Sequence, residues 1–357
     1  MTGGRRAISR RGALFAGAGA AALAFPTLLR AQGKRTITDA GRRKVELPER
    51  VARVFAAGPP AAIMLFTLAP DLLLGWTSEF RPAEKEFVPE RYAELPGVGR
   101  LTGRGNTTNL ETVLALKPDL LVDYGTVDQT YISLANRVQQ QTGLPYVLLD
   151  GKFDRIADTY LLLGEAVDRR EAAAGHAAYA SNLLRALDRA IAGIPAEKRP
   201  RVYYARGPAG LQTGAAGSIN TEIIERAGAV NVAAAMGPGG LVNVSLEQVL
   251  GWNPDTILTI DQTFQQRALS DSTWKDVKAV REKRVFLSPN LPFGWIDFPP
   301  AVNRLLGLQW LAHLFYPAAF PDDLRAIVAD FHRRFYHRVP TDAQLDKLLA
   351  HALPPRR

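Results

Sequence analysis

Three kinds of residue in this 357-residue chain have the type and spacing for chemistry. The first is cationic. Arg100 and Arg104 lie in the run Gly97-Val98-Gly99-Arg100-Leu101-Thr102-Gly103-Arg104-Gly105-Asn106, where glycines free the backbone and guanidinium groups can pair with an anion. A nucleotide is not the anion indicated, because no Lys-Ser or Lys-Thr follows at phosphate-loop spacing. The second kind is acidic. Asp123, Asp261 and Asp297 could supply an acid pair to an exported hydrolase, though nothing in their spacing requires one. That chemistry also lacks a nucleophile: the chain has no Gly-x-Ser-x-Gly, no His-Glu-x-x-His and no cysteine. The third kind is histidine. His176, His313, His332, His337 and His351 all fall in predicted helices or the tail, none in a loop that would face a cleft.

The elements that position these residues are organised around a repeat. Leu110, Glu111, Val113, Leu114, Pro118 and Asp119 recur 136 residues later as Leu246, Glu247, Val249, Leu250, Pro254 and Asp255. A capping residue opens each copy, Asn109 or Ser245, and apolar positions follow at helical spacing. Pro-Asp then stops the helix and a short apolar run follows, residues 120–122 or 256–260, of the kind that forms a buried parallel strand. Two related α/β lobes are expected, because the interval is far too long for a solenoid. Glu111 and Glu247 each stand in a helix first turn, where the dipole favours a carboxylate.

Taken in order, the chain predicts an N-terminal α/β lobe over 36–152, a connecting helical segment over 153–194, a C-terminal α/β lobe over 195–298 and C-terminal helices over 299–357. In the first lobe a hairpin or edge segment spans 36–50. Strands are expected at 51–57, 72–76, 120–122 and 146–149, with helices around residues 63–68, between 79 and 95, and over 129–142. Residues 154–194 carry helical periodicity without strand signals or proline, so the lobes are joined by a long, rigid connecting α-helix. In the second lobe strands are expected at 201–205, 256–260 and 283–287, with a helix carrying Ile219, Ile223 and Ile224. An amphipathic helix through residues 305–314 and a terminal helix with Leu324, Ile327 and Phe331 end the chain, and the last residues are expected to fray.

Composition is that of a globular protein, with 47% hydrophobic and 22% charged residues. Residues 1–31 resemble a twin-arginine export signal, with Ser9-Arg10-Arg11-Gly12-Ala13-Leu14 ahead of a weakly apolar, Ala/Gly-rich stretch and cleavage expected after Ala31. Five of the positive charges behind the net +9 lie there, leaving +4 for the mature chain, which does not call for nucleic acid. Without cysteine there is neither a disulfide nor a lipid-anchoring thiol, so a periplasmic destination is expected.

With this organisation, residues 50–315 resemble the substrate-binding proteins of iron-siderophore and cobalamin uptake. The resemblance rests on Asn109-Leu110-Glu111 leading to Lys117-Pro118-Asp119, on its echo Ser245-Leu246-Glu247 leading to Asn253-Pro254-Asp255, and on the strand-turn entry at Gly58. It implies two Rossmann-like lobes with a ligand cleft between them, no catalytic activity, no resident cofactor or directly bound metal, and a monomer. It also implies delivery of a small-molecule metal chelate to the permease dimer of an ABC importer in the inner membrane, with Glu111 and Glu247 docking on the two permease subunits. One carboxylate per lobe suits a symmetric partner. In parallel α/β lobes the ligand meets loops at the carboxyl ends of strands, which nominates Gly58, Pro59, Arg100, Arg104, Tyr124, Arg206, Gln212, Phe293 and Trp295. Relatives that bind bare zinc or manganese use loop histidines, so a ferric siderophore is the first expectation; corrinoid, haem and molybdate or tungstate stay open.

Overall fold

In a computed structural model, the structure describes Met1, residues 34–350 apart from Arg104, and Ala352. The expected export signal, Arg104 and His351 therefore lie outside the described residues. Strands β1 (Lys34–Thr38) and β2 (Lys44–Pro48) form an antiparallel hairpin. Next come β3 (Val54–Ala56), α1 (Pro59–Leu68), the short helices α2 (Pro82–Lys85) and α3 (Glu90–Ala93), α4 (Leu110–Ala115), β4 (Leu120–Gly125), α5 (Gln129–Thr142) and β5 (Tyr146–Asp150). Their strands make a parallel sheet in the order β3-β4-β5. The strand expected over 72–76 is reduced to single bridges, Val54 with Leu73 and Trp76 with Gly97, because a 3-10 turn at Pro70–Leu72 bends the chain beforehand.

The connecting segment consists of α6 (Ile156–Ala166) and α7 (Arg170–Ala192). They meet at Asp168, whose φ of 55° is a conformation that the short polar side chain tolerates. At 1.5 Å per residue, α7 is about 34 Å long, enough to touch α1 of the first lobe and helix α12 (Arg304–Phe315) of the C-terminal part. The second lobe contains β6 (Arg201–Ala205), β7 (Gln212–Gly214), α8 (Glu222–Arg226), β8 (Val230–Asn231), β9 (Leu241–Asn243), α9 (Leu246–Trp252), β10 (Thr256–Thr259), α10 (Gln262–Ser270), α11 (Lys278–Arg281) and β11 (Val285–Leu287). Its parallel sheet runs β11-β10-β6-β8, and β7 pairs with β9 in a separate antiparallel ribbon.

The repeat has a mechanical explanation. In each copy the residue before proline takes a left-handed conformation, φ 49° at Lys117 and 43° at Asn253, and so ends the helix sharply. The aspartate that follows clamps the adjoining strand. Asp119 accepts from the amides of Ala52 and Arg53 at 2.8 and 2.9 Å, and Asp255 accepts from Arg201 N at 2.9 Å. Arg53 and Arg201 then donate to carbonyls at the end of the preceding helix, Leu116 O and Trp252 O. In each copy the aspartate thus satisfies a strand start and the arginine it holds satisfies a helix end.

Helix α12 is buried on nearly all sides rather than amphipathic, because α7, α8 and helix α13 (Leu324–Phe335) surround it. The chain then returns to the first lobe. His337 approaches Phe66 O at 2.9 Å and Arg338 donates to Val88 O at 3.1 Å. Helix α14 (Asp342–Leu349) is tied down by Gln344 to Glu86 O and by the Lys347–Glu86 ion pair; apart from Ala352, the last residues, where fraying was expected, lie outside the described residues.

Candidate ligand cleft

The carboxyl ends of β3, β4 and β6 and the loop after β11 converge on a cleft of about 650 Å³. From the first lobe come Pro59, Arg100, Thr102, Asp123, Tyr124 and Tyr131; from the second come Arg206, Asn220 and Leu241, with Asp297 and Phe298 from the loop. The glycine-rich loop is pinned to the end of β3, since Leu101 and Thr102 both donate to Ala57 O, at 2.8 and 2.9 Å. Arg100 folds over that loop and donates from Nε to Gly105 O at 2.8 Å. Gly58 precedes α1 and lets the loop approach: a Cβ there would stand 2.5 Å from Thr102 Oγ1.

Two buried carboxylates stand in the walls. Asp123 accepts from Thr102 Oγ1 and Tyr124 N, both at 3.0 Å, and from Tyr146 OH at 3.2 Å. Burial pushes its carboxyl up to about 6, against the pull of these donors. Asp297 is the centre of a denser cluster. Its Oδ2 pairs with Arg206 Nε at 2.9 Å and accepts from Tyr204 OH at 2.9 Å, while its Oδ1 accepts from Asn220 Nδ2 at 2.8 Å and Phe298 N at 2.7 Å. Arg206 also donates to Gln212 Oε1 at 2.7 Å, which fixes the plane of its guanidinium. The arginine therefore presents oriented donors whose charge is already shared with a carboxylate.

Cleft and lobes are joined underneath by Arg304, a fully buried arginine at the start of α12. It donates to Ile219 O at 3.0 Å, pairs with Glu222 at 3.1 Å, donates to Gly151 O and lies 4.3 Å over the Phe153 ring. Glu222 in turn accepts from Phe153 N at 3.0 Å. Gly151 and Phe153 follow β5 in the first lobe, whereas Glu222 belongs to the second, so one side chain staples both.

The described sequence nominees separate into four groups. Pro59, Arg100, Tyr124 and Arg206 line the main cleft. Gly58 and Gln212 stand behind them, and Phe293 lines an adjoining cavity of about 310 Å³. Trp295 faces neither: it is fully buried, with its ring 6.4 Å from that of Trp310, because the loop turns inward after Gly294. Glu111 and Glu247 are exposed in the first turns of α4 and α9. Of the carboxylates weighed for hydrolysis, Asp261 caps α10 through Phe264 N and Asp297 is held by Arg206. Asn220, Tyr131 and Phe298 carried no signal in the sequence as site residues, since only the folding of distant loops brings them to the cleft.

Residues 66–291 match the family model described as periplasmic binding protein. The molybdate-binding protein MolA of Haemophilus influenzae is 30% identical over 325 residues, covering 85% of this chain and 91% of that protein. Among solved structures, an ABC transporter solute binding protein from Sulfurospirillum deleyianum is similar with a TM-score of 0.78 at 28% identity, covering 88% of this chain and 99% of the other. The structure of MolA bound to molybdate is similar with a TM-score of 0.69 at 27% identity, covering 86% and 99%. The two parallel-sheet lobes, their helical connection and the extent of these matches lead to one assignment: the chain belongs to the periplasmic binding protein family, the solute-binding proteins of ABC importers.

Proposed function

We propose that the protein captures an anionic metal species in the periplasm and delivers it to the permease of an ABC importer, with an oxyanion of the molybdate class as cargo. The observation that carries this reading is the meeting of one arginine from each lobe, Arg100 and Arg206, on a single cleft. Identity of 30% to a molybdate-binding protein supports it. A tetrahedral oxyanion takes several donors at once. Because Asp297 shares the charge of Arg206, directional hydrogen bonds rather than net charge would select the ligand. The exposed Glu111 and Glu247, one per lobe, fit two ion pairs with a symmetric permease, and the signal-like N-terminus fits twin-arginine export.

The volume favours a second reading, the ferric siderophore expected from the sequence. About 650 Å³ is the space of a drug-sized ligand and far exceeds a four-oxygen anion. Thermal melting with molybdate, tungstate, sulfate, ferric catecholate and hydroxamate chelates, cobalamin and haem separates the readings. Molybdate and tungstate at a hundredfold excess over Kd should stabilise the fold by about 2.7 kcal/mol, with sulfate inert. Stabilisation by a ferric chelate alone makes the chelate the cargo, and silence from every metal species refutes the proposal.

A further inference from the structure

Asp123 is at odds with the charge that the cleft is proposed to hold. It lines the same cavity as Arg100 and Arg206 and is only 5% exposed. The other buried carboxylate there, Asp297, shares its charge with Arg206. Asp123 is held differently: among the described residues no cation pairs with it, and its three donors, Thr102 Oγ1, Tyr124 N and Tyr146 OH, are neutral. Two of the three reach Oδ1. Oδ2 accepts only from Tyr146, across the longest of these bonds at 3.2 Å, and so keeps room for a proton.

The surroundings single out this carboxyl as the group that titrates. Helix α1 and strand β3, which pack against β4, bring no titratable side chain. From α5 comes Tyr131 and from β5 Tyr146, and burial raises both hydroxyls above their ordinary value, so they stay protonated near neutral pH. Beyond Tyr146, Arg43 is committed to Asp39, and Asp150 at the end of β5 accepts from Lys152 N. Burial already lifts Asp123 to about 6. A dianion in the same cavity lifts it further, because like charges oppose each other strongly where water is excluded.

We infer that capture of a dianion takes up one proton from solvent onto Asp123, so that the anion is bound with a neutral carboxylic acid in the wall. The O–H bond forms on Asp123, and no bond of the anion breaks. This rests on the oxyanion reading and adds a pH dependence to it: the cargo is held tightly in an acid envelope and loosely in an alkaline one.

The test is calorimetric titration of the whole protein with molybdate and with tungstate, which are unprotonated dianions in dilute solution from about pH 6.5 to 8. Heats in two buffers of different ionisation enthalpy, HEPES and Tris, give the protons taken up per anion bound. About half a proton or more is expected at pH 7.5, with Kd weakening by up to about tenfold per pH unit above pH 6.5. Infrared difference spectra should show the carbonyl stretch of a carboxylic acid appearing with the anion. Asp123→Asn keeps an acceptor for Thr102 and Tyr124 N but cannot take the proton. It should bind without uptake or pH dependence and, at pH 8, about tenfold or more tightly than wild type; a residue that only shaped the wall would weaken binding when changed. A flat Kd with less than about 0.2 proton taken up, or uptake that survives Asp123→Asn, overturns the inference and leaves oxyanion capture standing. Absence of binding by both anions removes the two together.

Discussion

Replacing Arg304 with methionine tests whether one buried side chain joins the lobes. Methionine keeps length and apolar volume but removes the donors to Gly151 O and Ile219 O and the partner of Glu222. Taking one member from a buried ion pair costs about 3–5 kcal/mol. The Glu222 side chain is 24% exposed, so water partly relieves it and the lower end, about 3 kcal/mol, applies. At roughly 2–4 °C per kcal/mol in large domains, Arg304→Met should melt about 6–12 °C below wild type. Calorimetry of Arg304→Met, Glu222→Gln and the double variant separates the pair from the packing. Glutamine keeps an acceptor for Phe153 N, and the double variant should recover about 1–3 kcal/mol relative to the sum of the singles. A melting point within about 2 °C of wild type, or strict additivity, would refute the staple.

The remaining expectations concern pH, packing and partner. The Asp123 carboxyl titrates at about 6 when folded against an ordinary 3.8, so the folded state binds more protons between those values. The cost of ionising it in the fold is absent below about pH 4 and reaches roughly 3 kcal/mol above about pH 6. Wild-type stability should fall relative to Asp123→Asn as pH rises from 4 to 7; parallel profiles would count against the assignment. Gly307→Ala would place a Cβ 1.9 Å from Trp295 O, which forces α12 off the loop and should cost about 3 kcal/mol or more by chemical denaturation. Reversing Glu111 and Glu247 together should abolish uptake in cells with ligand affinity unchanged, and a weakened Kd would instead place them at the binding site.

Local regularity made some elements legible. Helix α5 runs over the 129–142 expected from its periodicity, and β6 over 201–205, because a capping Asp128 and an apolar run are signals that neighbouring residues supply by themselves. The repeated Pro-Asp turn was readable for the same reason. Strands β7 and β9 were not: three residues each, in a stretch rich in small side chains, hold together only by pairing with one another. The break at Asp168 lacks the glycine or proline that usually marks one. At the site, Arg206 was nominated because it follows a strand end, a local property. The importance of Asp297 arises from partners 77 to 93 residues away in sequence, Phe298 is held through Asp297, and Trp295 differs from Phe293 only in which way the loop turns.

The return of the C-terminal helices to the first lobe sets an order on synthesis. Helix α1 is apolar on every face, and part of its cover is α13, made some 260 residues later. Until the ribosome releases the end of the chain, the first lobe holds all its own strands and still exposes the face of this helix that α13 covers. A nascent chain stopped near residue 320 would therefore lack a finished first lobe despite having every residue of it. Completion of the N-terminal half becomes a late event, coupled to the final turn of sequence, so the whole molecule matures as one unit.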